Sequence, residues 1–253
     1  IEMEDDGINI EKLEEALKKY QRTAFIYLIP NFQNPTGRTM SLQRRKDILA
    51  LAYKYNVLIL EDNPYGELRF AGVDIPTIKS LDTRGHVIYA GSFSKVLAPG
   101  LRVGYMLATE TIIQKATVAL QVSTVHSNIW AQMITYRFVT QFDFNGHLEA
   151  LREIYKKKCY LMLNSLKFAM PKSIDFTEPE GGLFIWGTLP NGDINYFCKK
   201  AVENKVAVVP GIAFLANESD RTLSFRLNFS TPTDEQIEKG VEILAQVANT
   251  MYK

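Results

Sequence analysis

Gly91-Ser92-Phe93-Ser94-Lys95-Val96-Leu97-Ala98-Pro99-Gly100-Leu101-Arg102-Val103-Gly104-Tyr105 is the stretch on which the fold turns. It is framed by two short apolar runs, residues 87–90 and 103–108, that suit buried strands. Lys95 therefore sits in a loop at the end of a strand. A lysine so placed can form an imine with an aldehyde, because partial burial and a nearby cation favour its neutral, nucleophilic amine. Ser92 supplies a hydroxyl donor and Arg102 a guanidinium, a pair suited to a phosphate. Taken singly, Ser-x-Ser-Lys is weak evidence and more often marks an ordinary surface loop.

Working outward, residues 24–30 and 57–61 read as strands buried on both faces, separated by a turn-rich loop at 31–38 and a helix over 41–55. Strands and helices alternate in the manner of an α/β fold with a mostly parallel sheet. Right-handed crossovers place the loops that follow the strands along one sheet edge, where open α/β folds bind ligands. From residue 110 the rhythm changes to long helices over 110–122, 127–141 and 146–168. Strand-like segments then follow at 183–186, 206–209 and 223–229, with helices at 194–204 and from Asp234. The expected division is an α/β domain over residues 1–143 and a smaller α+β domain over 144–253.

Bulk composition excludes several classes. The 253 residues are 46% apolar with a formal net charge of +1, and the short Lys156-Lys157-Lys158 run reads as a solvated helix face, so no nucleic-acid surface is expected. The longest mostly apolar stretch, residues 206–216, is broken by Pro210 and Gly211 and is too short to span a bilayer. Cys159 and Cys198 lie far apart in helical segments and read as reduced packing residues of a cytoplasmic protein. Residues 1–6 carry neither an initiator Met nor a leader pattern, so upstream sequence is expected.

Ser92-Phe93-Ser94-Lys95 followed by Pro99-Gly100-Leu101-Arg102-Val103-Gly104 resembles the lysine segment of the class I/II, fold-type I aminotransferases, which depend on pyridoxal 5'-phosphate (PLP). Asn34-Pro35-Thr36-Gly37 resembles that family's Asn-Pro-Thr-Gly loop, and Asp62-Asn63-Pro64-Tyr65 its Asp-x-x-Tyr at the end of a buried strand. Ser224-Phe225-Arg226-Leu227-Asn228-Phe229 is similar to the late strand that holds the substrate-binding arginine. Glu180-Gly181-Gly182-Leu183-Phe184 and Val209-Pro210-Gly211 are similar to turns of the small domain. These motifs run in family order along the whole chain.

The resemblance implies an aspartate aminotransferase-like fold and a set of roles. Lys95 would be the cofactor's Schiff-base lysine and the proton carrier of catalysis. Asp62 would hold the pyridine nitrogen protonated, although an isolated Asp-x-Pro more often caps a turn. Tyr65 and Asn34 would donate to the ring's phenolate oxygen, and Ser92, Ser94 and Arg102 would hold the phosphate. Arg226, costly on an inward strand face unless it meets an anion, would grip a substrate α-carboxylate, with Asn34 as a second substrate-binding residue. The Asn34–Pro35 bond is a candidate cis peptide. His86, His126 and His147 match no motif and read as structural.

The substrates implied are an L-amino acid and a 2-oxo acid, and the lysine loop is similar to that of members acting on aromatic, kynurenine-like or 2-aminoadipate-like substrates. The family's glycine- and serine-rich phosphate turn and its ring-stacking aromatic have no counterpart here. The 253-residue stretch is therefore expected to bind PLP weakly by itself and to be inactive, with an exposed sheet edge or apolar face. A homodimer is expected of the full-length protein. The same residues would also serve a PLP-dependent carbon–sulfur β-lyase, or the aminotransferase-like sensor domain of a winged-helix transcription regulator. Retention of the whole set disfavours a catalytically dead structural domain.

Overall fold

The computed structural model describes residues 1–217 and 220–252. Its chain forms two compact units, one of Ile1–Asn31 with Thr39–Leu151 and the other of Phe32–Arg38 with Arg152–Lys253.

The first unit opens on an antiparallel pair, β1 (Met3–Glu4) and β2 (Gly7–Ile8), and then α1 (Ile10–Lys19). The Asn9 side chain caps α1 by accepting the Lys12 N–H, and Leu13 and Leu17 bury one helix face. β3 (Phe25–Leu28), α2 (Leu42–Tyr55), β4 (Leu58–Asn63), α3 (Ile78–Leu81) and β5 (Val87–Ser92) follow. Ser41 caps α2 through the Arg44 N–H, and Asn56 ends it in the left-handed conformation at φ 52°. β3, β4 and β5 are parallel neighbours, and β6 (Gly104–Leu107) adds antiparallel to β5. Ile26, Leu28, Ile59 and Val87 from the sheet pack with Ile48, Leu49 and Ala52 of α2. Burial of each such side chain stabilises by about 1.5–3 kcal/mol.

The expectation that residues 24–30 are buried on both faces is corrected here. β3 alternates, with Ile26 and Leu28 buried while Phe25 and Tyr27 are 53% and 52% exposed. All four residues of β6 are exposed. Three helices complete the unit's run: α4 (Glu110–Thr124), α5 (Ile129–Gln141) and the first part of α6 (Phe144–Ala169). α4 buries none of its residues, and Val122, Val125 and Trp130 stand in solvent.

The second unit takes the rest of α6 and the strands β7 (Asp175–Phe176), β8 (Phe184–Thr188), β9 (Val209–Pro210) and β10 (Ser224–Asn228), with α7 (Ile194–Glu203) and α8 (Asp234–Met251). Its sheet is antiparallel in the order β7-β8-β10-β9. Phe225 is fully buried between Phe197, 5.0 Å away centroid to centroid, and Phe176 at 6.2 Å. Residues 206–209, expected as a strand, contribute only Val209 to β9, because pairing with β10 is limited to Phe225 and Arg226. Thr233 starts α8 with a capping box, its side chain and that of Gln236 each bonding the other's backbone N–H. Both cysteines are buried and unpaired, and burial pushes the thiol of Cys159 up to about 12 and that of Cys198 up to about 11. Neither is a ready thiolate. No described helix is long and apolar enough to cross a membrane.

Candidate active site

In the first unit, strand direction gathers chemistry at one sheet end. β4 and β5 run side by side with Asp62 opposite Ala90 and Asn63 opposite Gly91, so both finish at the same edge. β6 runs the other way with Gly104 opposite Ser92, and so begins where β5 ends. Asp62 and Tyr65, Ser92 to Lys95, and Arg102 therefore issue from adjacent strand ends, about 4.8 Å apart per strand. This is the edge where ligands bind in such sheets.

Local bonds shape the lysine loop. The Phe93 N–H donates to the Val103 carbonyl at 3.0 Å, and the Leu97 N–H to the Phe93 carbonyl at 2.9 Å. The Ser94 N–H donates to the Ser92 hydroxyl at 3.1 Å, and Arg102 Nη1 donates to the Ser94 hydroxyl at 3.3 Å. Arg102 holds φ 53°, an uncommon conformation for a side-chain-bearing residue, and this turns the chain into β6. His147 Nε2 donates to the Val96 carbonyl at 2.7 Å, pinning the residue after Lys95.

Charge matters most here. Among the described residues neither Lys95 nor Arg102 meets a carboxylate, and Asp62 meets no cation. Asp62 Oδ2 instead accepts a hydrogen bond from the Tyr27 hydroxyl at 2.7 Å. Burial first, then Asp62 and Tyr65, raise the Tyr27 phenol above its ordinary range and keep it a donor. Tyr65 itself is buried. A carboxylate, an amine and a guanidinium with hydroxyls, none offset by a neighbour of opposite charge, match the donor set a phosphorylated pyridine aldehyde requires.

The second unit brings Asn34 and Arg226 together. The Asn34–Pro35 peptide is cis. Gly37 has φ +69°, and a side chain there would meet the Phe184 carbonyl oxygen at 2.5 Å, so only glycine lets this loop lie against β8. Arg226 Nη1 donates to Asn34 Oδ1 at 2.6 Å. Its guanidinium lies 4.3 Å from the Phe184 ring centroid and 4.9 Å from that of Phe214, two cation–π contacts that hold the side chain in place.

Several positioning residues escape the motifs. Arg45 is fully buried on α2 and donates to the carbonyls of Met40, Ile75, Pro76 and Pro30 and, at 2.6 Å, to Asn31 Oδ1. Asn31 passes the chain on to Asn63 at 2.9 Å, and Asn63 to the Tyr89 hydroxyl at 2.9 Å. β3, β4 and β5 are thus tied by side chains as well as by the sheet. Burial pulls the Arg45 guanidinium down to about 10, which leaves it charged at neutral pH.

A family model described as aminotransferase class I and II matches residues 2–244. The chain belongs to this family. Among relatives of this class I/II aminotransferase chain, aromatic-amino-acid aminotransferase 1 of Thermococcus litoralis is 41% identical over 258 residues, covering 100% of the chain and 62% of the relative. A 2-aminoadipate transaminase of Thermus thermophilus is 37% identical, covering 96% of the chain and 61% of the relative. The crystal structure of Pyrococcus horikoshii kynurenine aminotransferase, in complex with PMP, matches 99% of the aminotransferase chain and 63% of its own with a TM-score of 0.95 at 40% identity. The chain thus spans about three-fifths of the length of these relatives. The expected α/β fold of aspartate aminotransferase type is the fold it has.

Proposed function

We propose that the protein is a PLP-dependent aminotransferase that moves an amino group between an L-amino acid and a 2-oxo acid, of the aromatic, kynurenine or 2-aminoadipate type. One observation carries this reading: Asp62, Lys95 and Arg102 issue from neighbouring strand ends with no counter-charge of their own among the described residues. PLP, when bound, supplies an aldehyde and a cationic ring that stabilises negative charge at the substrate's α-carbon. Relatives acting on aromatic amino acids, 2-aminoadipate and kynurenine support the substrate class.

In this reading Asp62 keeps the ring nitrogen protonated, because an ionised carboxylate against a cation favours both charges. Ser92, Ser94 and Arg102 hold the phosphate. Tyr65 and Asn34 donate to the ring hydroxyl oxygen. Lys95 would hold the cofactor through its aldehyde carbon, and its amine, when free, would stand as base and then acid for the proton of the substrate's α-carbon. Arg226 grips the α-carboxylate with its two-pronged fork. We assign residues 1–143 to the large domain and 144–253 to the small one, and propose that the full-length protein is a cytoplasmic homodimer.

Replacing Lys95 by Ala in the full-length protein tests this. The variant is expected to lose 2-oxo-acid-dependent amino transfer and the near-visible absorbance of the bound imine. Full turnover in Lys95→Ala would overturn the assignment. Release of pyruvate and ammonia without a 2-oxo acid acceptor would replace transfer with β-elimination.

A further inference from the structure

β3 carries a residue that no motif singles out. Tyr27 alternates with the buried Ile26 and Leu28, so its side chain adds little to the core and half of it is open. Its hydroxyl nevertheless reaches across to the next strand and donates to Asp62 Oδ2 at 2.7 Å, an ordinary length for a hydroxyl donor. Asp62 has no cation or other hydrogen-bond donor among the described residues. Among the described residues Tyr27 is therefore the one group that sets where the carboxylate points and how its charge is held.

We propose that Tyr27 is a positioning residue for the amino-transfer reaction, engaging one oxygen of Asp62 so that the other faces the cofactor's ring nitrogen and the shared proton stays on that nitrogen. The proposal rests on the assignment of Asp62 to the ring nitrogen. Its physics is a competition for one proton. A phenol donating to the carboxylate stabilises the ionised acid and makes it a poorer proton acceptor, which leaves the proton on the pyridine. Without the phenol, the carboxylate is freer to rotate and readier to take the proton, and the ring is a weaker sink for the electrons of the α-carbon bond. Burial first, and then Asp62 and Tyr65, raise the phenol's pKa above its ordinary value, so it remains a donor throughout the neutral range.

The full-length holoenzyme, reconstituted with PLP labelled with ¹⁵N in the ring, tests this in three forms: native, Tyr27→Phe and Asp62→Ala. In Tyr27→Phe the ring ¹⁵N resonance is expected to move toward the unprotonated position and kcat to fall about tenfold with KM for the amino acid little changed. Its melting temperature is expected to stay at the native value, because Tyr27 is half-exposed and Phe keeps its packing. Asp62→Ala is expected to move the resonance further in the same direction. If Asp62→Ala moves it and Tyr27→Phe does not, the role of Tyr27 is overturned while Asp62 keeps its own. If neither variant moves it, both assignments fall.

Discussion

A guanidinium in contact with two aromatic rings has its place restricted before any ligand arrives. Arg226 lies over Phe184 and Phe214 and spends one nitrogen on Asn34. A lysine at that position would keep the charge and lose the fork. If Arg226 grips the substrate carboxylate as proposed, Arg226→Lys in the full-length protein is expected to raise KM for amino acids by about tenfold or more, with a smaller fall in kcat, as a bidentate contact gives way to a point charge. A fall in kcat with KM unchanged would remove Arg226 from carboxylate binding. Single residues also mark the limit of what sequence can tell. Lys95, Asp62 and Arg226 stand in recognisable motifs, but Arg45 sits in Gln43-Arg44-Arg45-Lys46, which reads as a solvated helix face. Only tertiary placement separates Arg44, paired with Glu4 and Asp6, from Arg45, which is fully buried. Tyr27 was hidden for a similar reason: an apolar run does not say which of its side chains will meet a carboxylate.

Strands and helices were more legible, because their periodicity is a local property, and the parallel β3-β4-β5 ladder follows the α/β alternation read along the chain. The direction of β6 was not legible, since a short apolar run carries no arrow, and its reversal is what returns Arg102 to the end of β5. The turn between α3 and β5 shows how an element boundary stores pH sensitivity. Burial by itself would raise the Asp82 carboxyl. The N–H groups of Val87 and Arg84 and the Tyr53 hydroxyl outweigh it and hold it down at about 2. A carboxyl whose folded value is depressed contributes stability above its ordinary value of 3.8, and that contribution is lost as pH falls toward about 2. Unfolding free energies measured between pH 5 and pH 2 are therefore expected to fall more steeply for the native chain than for Asp82→Asn, which cannot titrate. Parallel curves would mean that these bonds do not persist in solution.

On the scale of the whole 253-residue chain, large apolar side chains of several elements of the first unit stand exposed. Val122 is 83% exposed and Trp130 73%, and β6 shows Met106 and Leu107 to solvent. Apolar exposure on this scale favours association. The chain by itself is expected to enhance the fluorescence of an apolar dye such as ANS and to sediment above monomer mass at micromolar concentration, and Val122→Glu with Trp130→Glu to diminish both. A monodisperse monomer with no dye response would refute this. The reversal of β6 has a further consequence. Because residues 93–103 leave and re-enter the sheet at one end, a single hairpin carries both the amine and the guanidinium. In the proposed reading its length acts as a calliper whose two jaws would match the reach from an aldehyde carbon to a phosphate. Lengthening it by even one residue would spoil the gauge, whereas the walls that judge a substrate's side chain can drift without disturbing it.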